Sequence, residues 1–386
     1  MEPKRTCLYD RHLAADAKMV DFAGWHMPIQ YSQGIVAEHL WTRKHCGIFD
    51  VSHMGRLRFT GTDACKFLQY VLTSNIASLN VGKSQYCIIS NENGCAIDDA
   101  YLYRFVEDEY LLVVNASNKQ KDIEHIQSKI DGFNAEMHDM SDSLAMIAVQ
   151  GPESENILSS IEPDLQLPAN GRNNIAITNI CQAEVLLCRT GYTGEPICFE
   201  LMVPVESAKV IWDKMTDMGA KPIGLGARDT LRIEAGLPLY GHEFAEDMPI
   251  FSCGLAKFGV SFDKEKGNFI GSEALKKQVE TLKKVIRAFV LVDKGIARDG
   301  AVVFYNDTEA GVVTSGTMAS YWKIEDGRLT NASAMHAVGL ALIDSDIDVG
   351  EKIYIDVRGR KIAAVTVNRN IENRKGKYCI AEIGEI

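Results

Sequence analysis

From Ser84 to Asn115 the chain alternates β-rich runs with polar turns: "SQYCIIS", "NENG", "CAIDDAYLYRF", "VEDE" and "YLLVVNA". An Asn/Gly turn between runs of β-branched and aromatic residues favours an antiparallel hairpin. Any fold for this chain must therefore be built around a meander of three strands. Behind it, "SNKQKDIEHIQSKI" places Ile123, Ile126 and Ile130 at helical spacing after a Ser/Asn cap region, which predicts a helix covering one face of the sheet. The result is an α+β unit. One feature of the meander is out of character: Asp98 and Asp99 are adjacent acids in a strand, where acids are depleted. Neighbouring strand residues point to opposite faces, so only one of the two can face a shared pocket.

A second α+β unit follows. "SLAMIAVQG" reads as a strand, "PESENILSSI" as a Pro-initiated helix, and "AEVLLCRTGYTGE" as a strand running into a Gly-rich turn. "ESAKVIWDKMTDMG" is an amphipathic helix closed by Gly, and "GLGARDTLRIEAGLPLYGHE" holds another with Gly on both flanks. After the Lys-rich "KKQVETLKKVIR", short β runs alternate with turns ("AFVLVD", "AVVFY", "AGVVTSG", "AVGLALID", "KIYIDV", "KIAAVTV"), the pattern of an all-β terminal domain.

At 386 residues, 46% of them apolar and 24% charged, the chain is too long for one ordinary core. No run approaches eighteen apolar residues, and the charged start "MEPKRTCLYD" lacks the apolar region of a signal peptide. These features predict an unexported, cytoplasmic protein, or a mitochondrial matrix protein if a transit peptide has been removed. The ten cysteines are scattered through apolar segments with no CxxC pair, which predicts buried thiols and no metal site or disulfide framework. A net charge of −11 excludes a general nucleic-acid binder, because displacing counterions needs a basic footprint. Two basic runs, "KKQVETLKKVIR" and "NRNIENRKGKYC", stand against that acidic average.

Several segments together resemble one family, the aminomethyltransferases or T-proteins of the glycine cleavage system. They are "MVDFAGWHMPIQY", "HCGIFDVSHMG", "NENGCAIDDAYLY", "DEYLLVVNASN", "LAMIAVQGP", "RTGYTGE", "GLGARDTLRIEAGLPLYGHE", "GNFIGSEAL" and "VTSGT", spread from residue 19 to residue 317. The resemblance implies a three-domain clover-leaf: two α+β domains around a folate channel and a C-terminal distorted β-barrel. The domains would be residues 1–50 with 138–280, residues 51–137, and residues 281–386. It also implies a reaction, in which an aminomethyl group on the lipoyl arm of H-protein passes to tetrahydrofolate, giving 5,10-methylene-tetrahydrofolate and ammonia. No metal takes part.

The resemblance assigns the catalytic carboxylate to Asp98, with Asp99 on the opposite face; taken alone, the pair reads equally as solvated acids. It gives reading of the pterin edge to Glu200, with Glu195 as the alternative because "PIC" lengthens the segment after "GYTGE" by one residue. Arg228 is expected near the folate, and Arg232 in a helix network with Asp229 and Glu234. Tyr192, Tyr86, Met54 and Asn115 fall on pocket positions, a set suited to sandwiching a pterin and meeting its polar edge. Each would otherwise be core or turn, and Asn115 a cap. His53 and His242 have no catalytic partner at diagnostic spacing and are read as structural. "GNFIGSEALKK" lacks the ending of a phosphate loop, so Ser272 is expected to cap a helix.

Two other functions compete. A tetrahydrofolate-dependent demethylase of a methylated S, O or N compound would share the scaffold, and the stretch "SGTMASYWKIEDGRLTNASAMHAVGLALID" is longer than the usual family link. A non-enzymatic folate-binding protein would be expected to lack the DD strand and to carry a reactive Cys motif, which is not found. The basic runs would suit docking of an acidic lipoyl carrier.

Overall fold

The computed structural model describes residues 2–162, 164–326 and 328–369. The predicted meander forms one side of a five-stranded antiparallel sheet, with strands Lys83–Ser90 at the edge, then Ala96–Val106 and Glu109–Val114, continued by Gly55–Thr60 and Glu136–Asp139. One face packs on helices Ala64–Val71 and Lys119–Gln127. Phe67, Leu68, Val71 and Ile126 from the helices meet Cys87, Ala100, Leu102 and Leu112 from the sheet, with Ile123 and Ile130 at the margin.

The second α+β unit has a six-stranded sheet, ordered Ile175–Ile180, Ala183–Cys188, Cys198–Pro204, Leu144–Gln150, Gly47–Asp50, Lys221–Pro222. Helices Ser154–Ile161 and Val205–Asp217 cover its outer face through Ile157, Leu158, Ile211, Trp212 and Met215. Its inner face meets the first sheet. Phe49, Met146, Ala148 and Met202 pack with Tyr103, Leu111 and Val113 in a single apolar cluster that also takes in Ala227 and Leu231 of helix Leu225–Glu234.

The six C-terminal β runs close into a barrel of strands Lys284–Leu291, Val302–Tyr305, Thr308–Glu325, Arg328–Asp344, Lys352–Val357 and Arg360–Val367. The fold is mixed α+β with a β-barrel, as expected. The long stretch after "SGT" is not a link, however. It is a continuous hairpin of strands 18 and 17 residues long that outreaches the barrel. Its Trp322 indole Nε1 donates to the Leu40 carbonyl at 2.9 Å on helix Gly34–Lys44, and Lys44 lies 4.8 Å from the indole ring.

Two further details differ from expectation. Residues from Phe244 to Leu275 pack with Ile88 and Ala96 of the meander sheet, not with the six-stranded one. Helix Ser272–Thr281 begins at Ser272, and its cap residue is Gly271, whose φ of 78° a side chain would strain. Among the described residues no helix is long and apolar enough to cross a membrane.

The hairpin generates a prediction. Trp322→Ala should lower unfolding stability by about 1–3 kcal/mol through loss of aromatic packing and of one hydrogen bond. Urea denaturation followed by fluorescence measures it, and an unchanged midpoint would mean that the hairpin rests on the helix without holding it.

Candidate functional site

A cavity of about 950 Å³ opens where the two sheets face each other, within the size range of small-molecule sites. Asp99, Tyr101, Tyr103 and Val113 line it from the meander sheet, and Met146 and Glu200 from the six-stranded one. Helix Leu225–Glu234 contributes Arg228 and Arg232. That helix lies close because Gly224 has no side chain; a Cβ there would sit 2.5 Å from the Ile29 backbone.

The site corrects the strand register. Asp98 does not face the cavity; Asp99 does. Strand alternation puts Asp98 on the face of Ala100 and Leu102, which is core, and Asp99 on the face of Tyr101 and Tyr103, which is cavity. Asp98 is fully buried behind the sheet. The pairing Ala100↔Val114 sets Asn115 beside Asp99 at the next step. Its side-chain amide donates to Asp98 Oδ1 at 2.8 Å and Asp99 Oδ1 at 2.9 Å, clamping the two acids together. Tyr86 hydroxyl donates to Asp99 Oδ2 at 3.1 Å. Burial, and next the charge of Asp98, raise the Asp99 carboxyl to about 7.

Glu200 and Arg228 stand on the same cavity. Tyr103 donates to Glu200 Oε2 at 3.1 Å and Thr190 hydroxyl bonds the same oxygen, so Oε1 is the one available to a ligand. Glu195 lies elsewhere, its Oε1 2.6 Å from Arg43 Nη1 in a buried ion pair. Arg228 sits 5.0 Å from the Tyr192 ring, and its Nη1 is buried with no hydrogen-bond partner among the described residues. Burial lowers its pKa while Glu200 and then Tyr192 pull the other way. Arg228 thus keeps one unpartnered donor nitrogen beside the Tyr192 ring on the cavity wall.

Tyr86, Tyr192, Met54 and Asn115 also line the cavity. Tyr192 is fixed by a hydrogen bond from its hydroxyl to the Pro238 carbonyl. Arg232 partly meets expectation: it bonds Asp229 at 2.8 Å, but it also donates to Glu243, Ser315 and the Leu237 carbonyl, while Glu234 pairs with Arg43 and His39. His53 and His242, read as structural, are both on the cavity lining. Burial lowers His53 to about 4, leaving a neutral imidazole whose Nδ1 lacks a partner among the described residues.

Sequence reasoning missed Tyr101, Tyr103 and Arg172 on the lining, and Asn118 and Asp122 behind it. The period-2 run Asp99, Tyr101, Tyr103 was the available signal for the first two. Among the described residues, no group of three or more His, Cys, Asp or Glu side chains is placed to hold a metal ion.

A cavity with one carboxyl raised to about 7, a second carboxylate beside a cation, and aromatic walls has the make-up of a small-molecule site. The family model of the GCVT N-terminal domain matches residues 8–264. The aminomethyltransferase of Caldanaerobacter subterraneus subsp. tengcongensis is 40% identical over 383 residues, covering 97% of each chain. That of Thermus thermophilus is 39% identical over 362 residues, covering 94% of this chain and 97% of its own. The crystal structure of glycine cleavage system aminomethyltransferase T from Bartonella henselae superposes with a TM-score of 0.83 at 29% identity, covering 95% of this chain and 98% of that one. The chain belongs to the aminomethyltransferase family and is a transferase of that class.

The raised Asp99 carboxyl carries a stability prediction. A carboxyl whose folded pKa exceeds its unfolded value binds more protons in the folded state, so it lowers stability as pH rises from the unfolded value toward about 7. Asp99→Asn should therefore raise Tm near pH 8, with a smaller gain near pH ~4, where both forms are neutral in the fold. Scanning calorimetry at the two pH values measures the difference; a gain equal at both would remove Asp99 ionisation as its cause.

Proposed function

We propose that the protein transfers an aminomethyl group from the lipoyl arm of H-protein to tetrahydrofolate, forming 5,10-methylene-tetrahydrofolate and releasing ammonia. The observation that carries this reading is the placement of Asp99 and Glu200 on opposing sheets of one cavity, with Arg228 beside Glu200. A reduced pterin offers an amino group and a ring N–H along one edge, and Glu200 Oε1 is free to accept from it. Arg228 Nη1 is free to donate to a carbonyl, and Tyr86, Tyr101 and Tyr192 supply flat apolar surface for the ring. The residues present fit a folate.

Asp99 then lies across the cavity from the pterin reader. A carboxyl near 7 exists in both forms at neutral pH, so it can take a proton at Oδ1 or Oδ2 and return it. As the anion, it stabilises positive charge developing on the transferring carbon, held in place by Tyr86 and Asn115. The cavity rim carries Phe22 and Phe258, 40% and 49% exposed, an apolar mouth suited to a hydrocarbon arm. Lys277 and Lys283 are exposed on the first basic run, which favours docking of an acidic carrier, whereas Lys276 pairs with Glu273 and Lys284 with Asp344. The second basic run lies outside the described residues after Arg369.

The deciding assay measures methylene-tetrahydrofolate from aminomethyl-loaded H-protein beside a panel of methylated S, O and N donors. Turnover only with the methyl donors would replace this reading by the demethylase one. Within that assay, Asp99→Asn should reduce turnover by about 10²–10⁴-fold and Asp98→Asn by less, because only Asp99 reaches the cavity. A larger loss at Asp98 would return the catalytic role to it. Glu200→Gln should weaken tetrahydrofolate binding by about 1.5–3 kcal/mol, read by calorimetric titration. An unchanged affinity would take the pterin edge away from Glu200.

A further inference from the structure

Behind the cavity wall is a carboxyl that the proposed reaction does not use. Asp122, on helix Lys119–Gln127, is fully buried one helical turn from Asn118, whose side chain bonds Asp98, so the two acids are neighbours; neither Asp122 oxygen has a hydrogen-bond partner among the N–H and O–H groups of the described residues. Asp98 is the opposite case. Its Oδ2 accepts the Asn115 backbone N–H at 2.9 Å, and its Oδ1 accepts the side-chain amides of Asn115 at 2.8 Å and Asn118 at 2.6 Å. Three amide donors favour an anion, whereas a buried carboxyl with none is stable only as the acid. Two such groups side by side satisfy both demands when one proton lies between them.

We propose that Asp122 is a positioning residue, a buried neutral acid that donates its O–H to the Asp98 carboxylate, which in turn fixes Asn115 and so holds Asp99 at the cavity wall. The inference rests on the reading of Asp99 as the reacting carboxyl. Asn115 is the connecting piece, because one amide nitrogen bonds both Asp98 and Asp99. With Asp122 neutral, the wall carries a single fixed negative charge behind Asp99. Burial first, then that charge, raise Asp122 to about 10, while bonds from Asp122, Asn115 and Asn118 pull Asp98 back from the rise that burial imposes.

The other groups around the cluster leave this charge pattern in place. Tyr86 and Cys87 face it from strand Lys83–Ser90, Tyr192 and Tyr240 from the loops over the cavity, and Cys253 from the short 3-10 helix Ile250–Cys253; burial raises all five. Two cations are near. Lys121 is bonded to Tyr240 and Glu246, and Lys266 reaches the carbonyls of Gln69 and Leu72.

The test combines a spectrum with a pair of variants. Infrared difference spectra of the full chain near pH ~8 should contain the carbonyl band of a protonated carboxylic acid, lost in Asp122→Asn and kept in the exposed-site control Asp142→Asn. In the aminomethyl-transfer assay, Asp122→Leu should lower kcat by about 10–100-fold with tetrahydrofolate affinity held within about threefold. Asp122→Asn should restore most of that loss, because an amide N–H replaces the O–H donor to Asp98. No acid band, or an Asn variant as impaired as the Leu variant, would overturn the proposal. The spectrum needs no substrate, and the Asn variant keeps the site's shape if Leu prevents folding. Failure of the function reading shows separately, as absence of transfer by the unaltered protein.

Discussion

The packing of two sheets against each other governs this molecule. Phe49, Met146 and Met202 on one side and Tyr103, Leu111 and Val113 on the other form one apolar cluster, and the cavity is the part of that interface left unfilled. Neither sheet alone encloses a site. Apolar burial across the interface also lowers the local dielectric, which strengthens every charge interaction on its wall. Asp99, Glu200 and Arg228 all stand on that wall.

Low dielectric has a cost that the protein meets with hydrogen bonds. Asp98 is held by three amide donors, Glu200 by two hydroxyls, and Asp99 by one amide and one hydroxyl. Both oxygens of Asp98 are taken up, whereas the two hydroxyls on Glu200 share Oε2 and leave Oε1 without a donor among the described residues. Arg228 is the exception, since its buried Nη1 has no hydrogen-bond partner among the described residues.

Most of the architecture was legible in the sequence because it rests on local patterns. The meander from Ser84 to Asn115, the Ile123/Ile126/Ile130 helix and the six barrel runs all carry their period in neighbouring residues. The site was legible only in part. Glu200, Arg228, Tyr86, Tyr192, Met54 and Asn115 do meet on one cavity, but the choice between Asp98 and Asp99 depends on which face of the strand is covered by helices. Tyr101 and Tyr103, amphipathic rings in phase with Asp99, held that information, and Ala100 and Leu102 marked the opposite face as core. Asp122 could not be read at all, since its partner lies on another element. The hairpin after "SGT" resembled an overlong link because its contacts are to residues far back in the chain.

That hairpin imposes an order of events on the nascent chain. Trp322 and Leu40 are 282 residues apart, so at ~5–20 residues per second of synthesis roughly 14–56 s pass between the making of the helix and the arrival of the side chain that covers it. Strand Gly47–Asp50 waits as well, because its neighbours Leu144–Gln150 and Lys221–Pro222 emerge much later. The meander sheet, whose five strands run from Gly55 to Asp139, has all its own partners in hand first. Folding therefore starts in the interior of the sequence, and helix Gly34–Lys44 and strand Gly47–Asp50 find their places after strands that follow them in the chain.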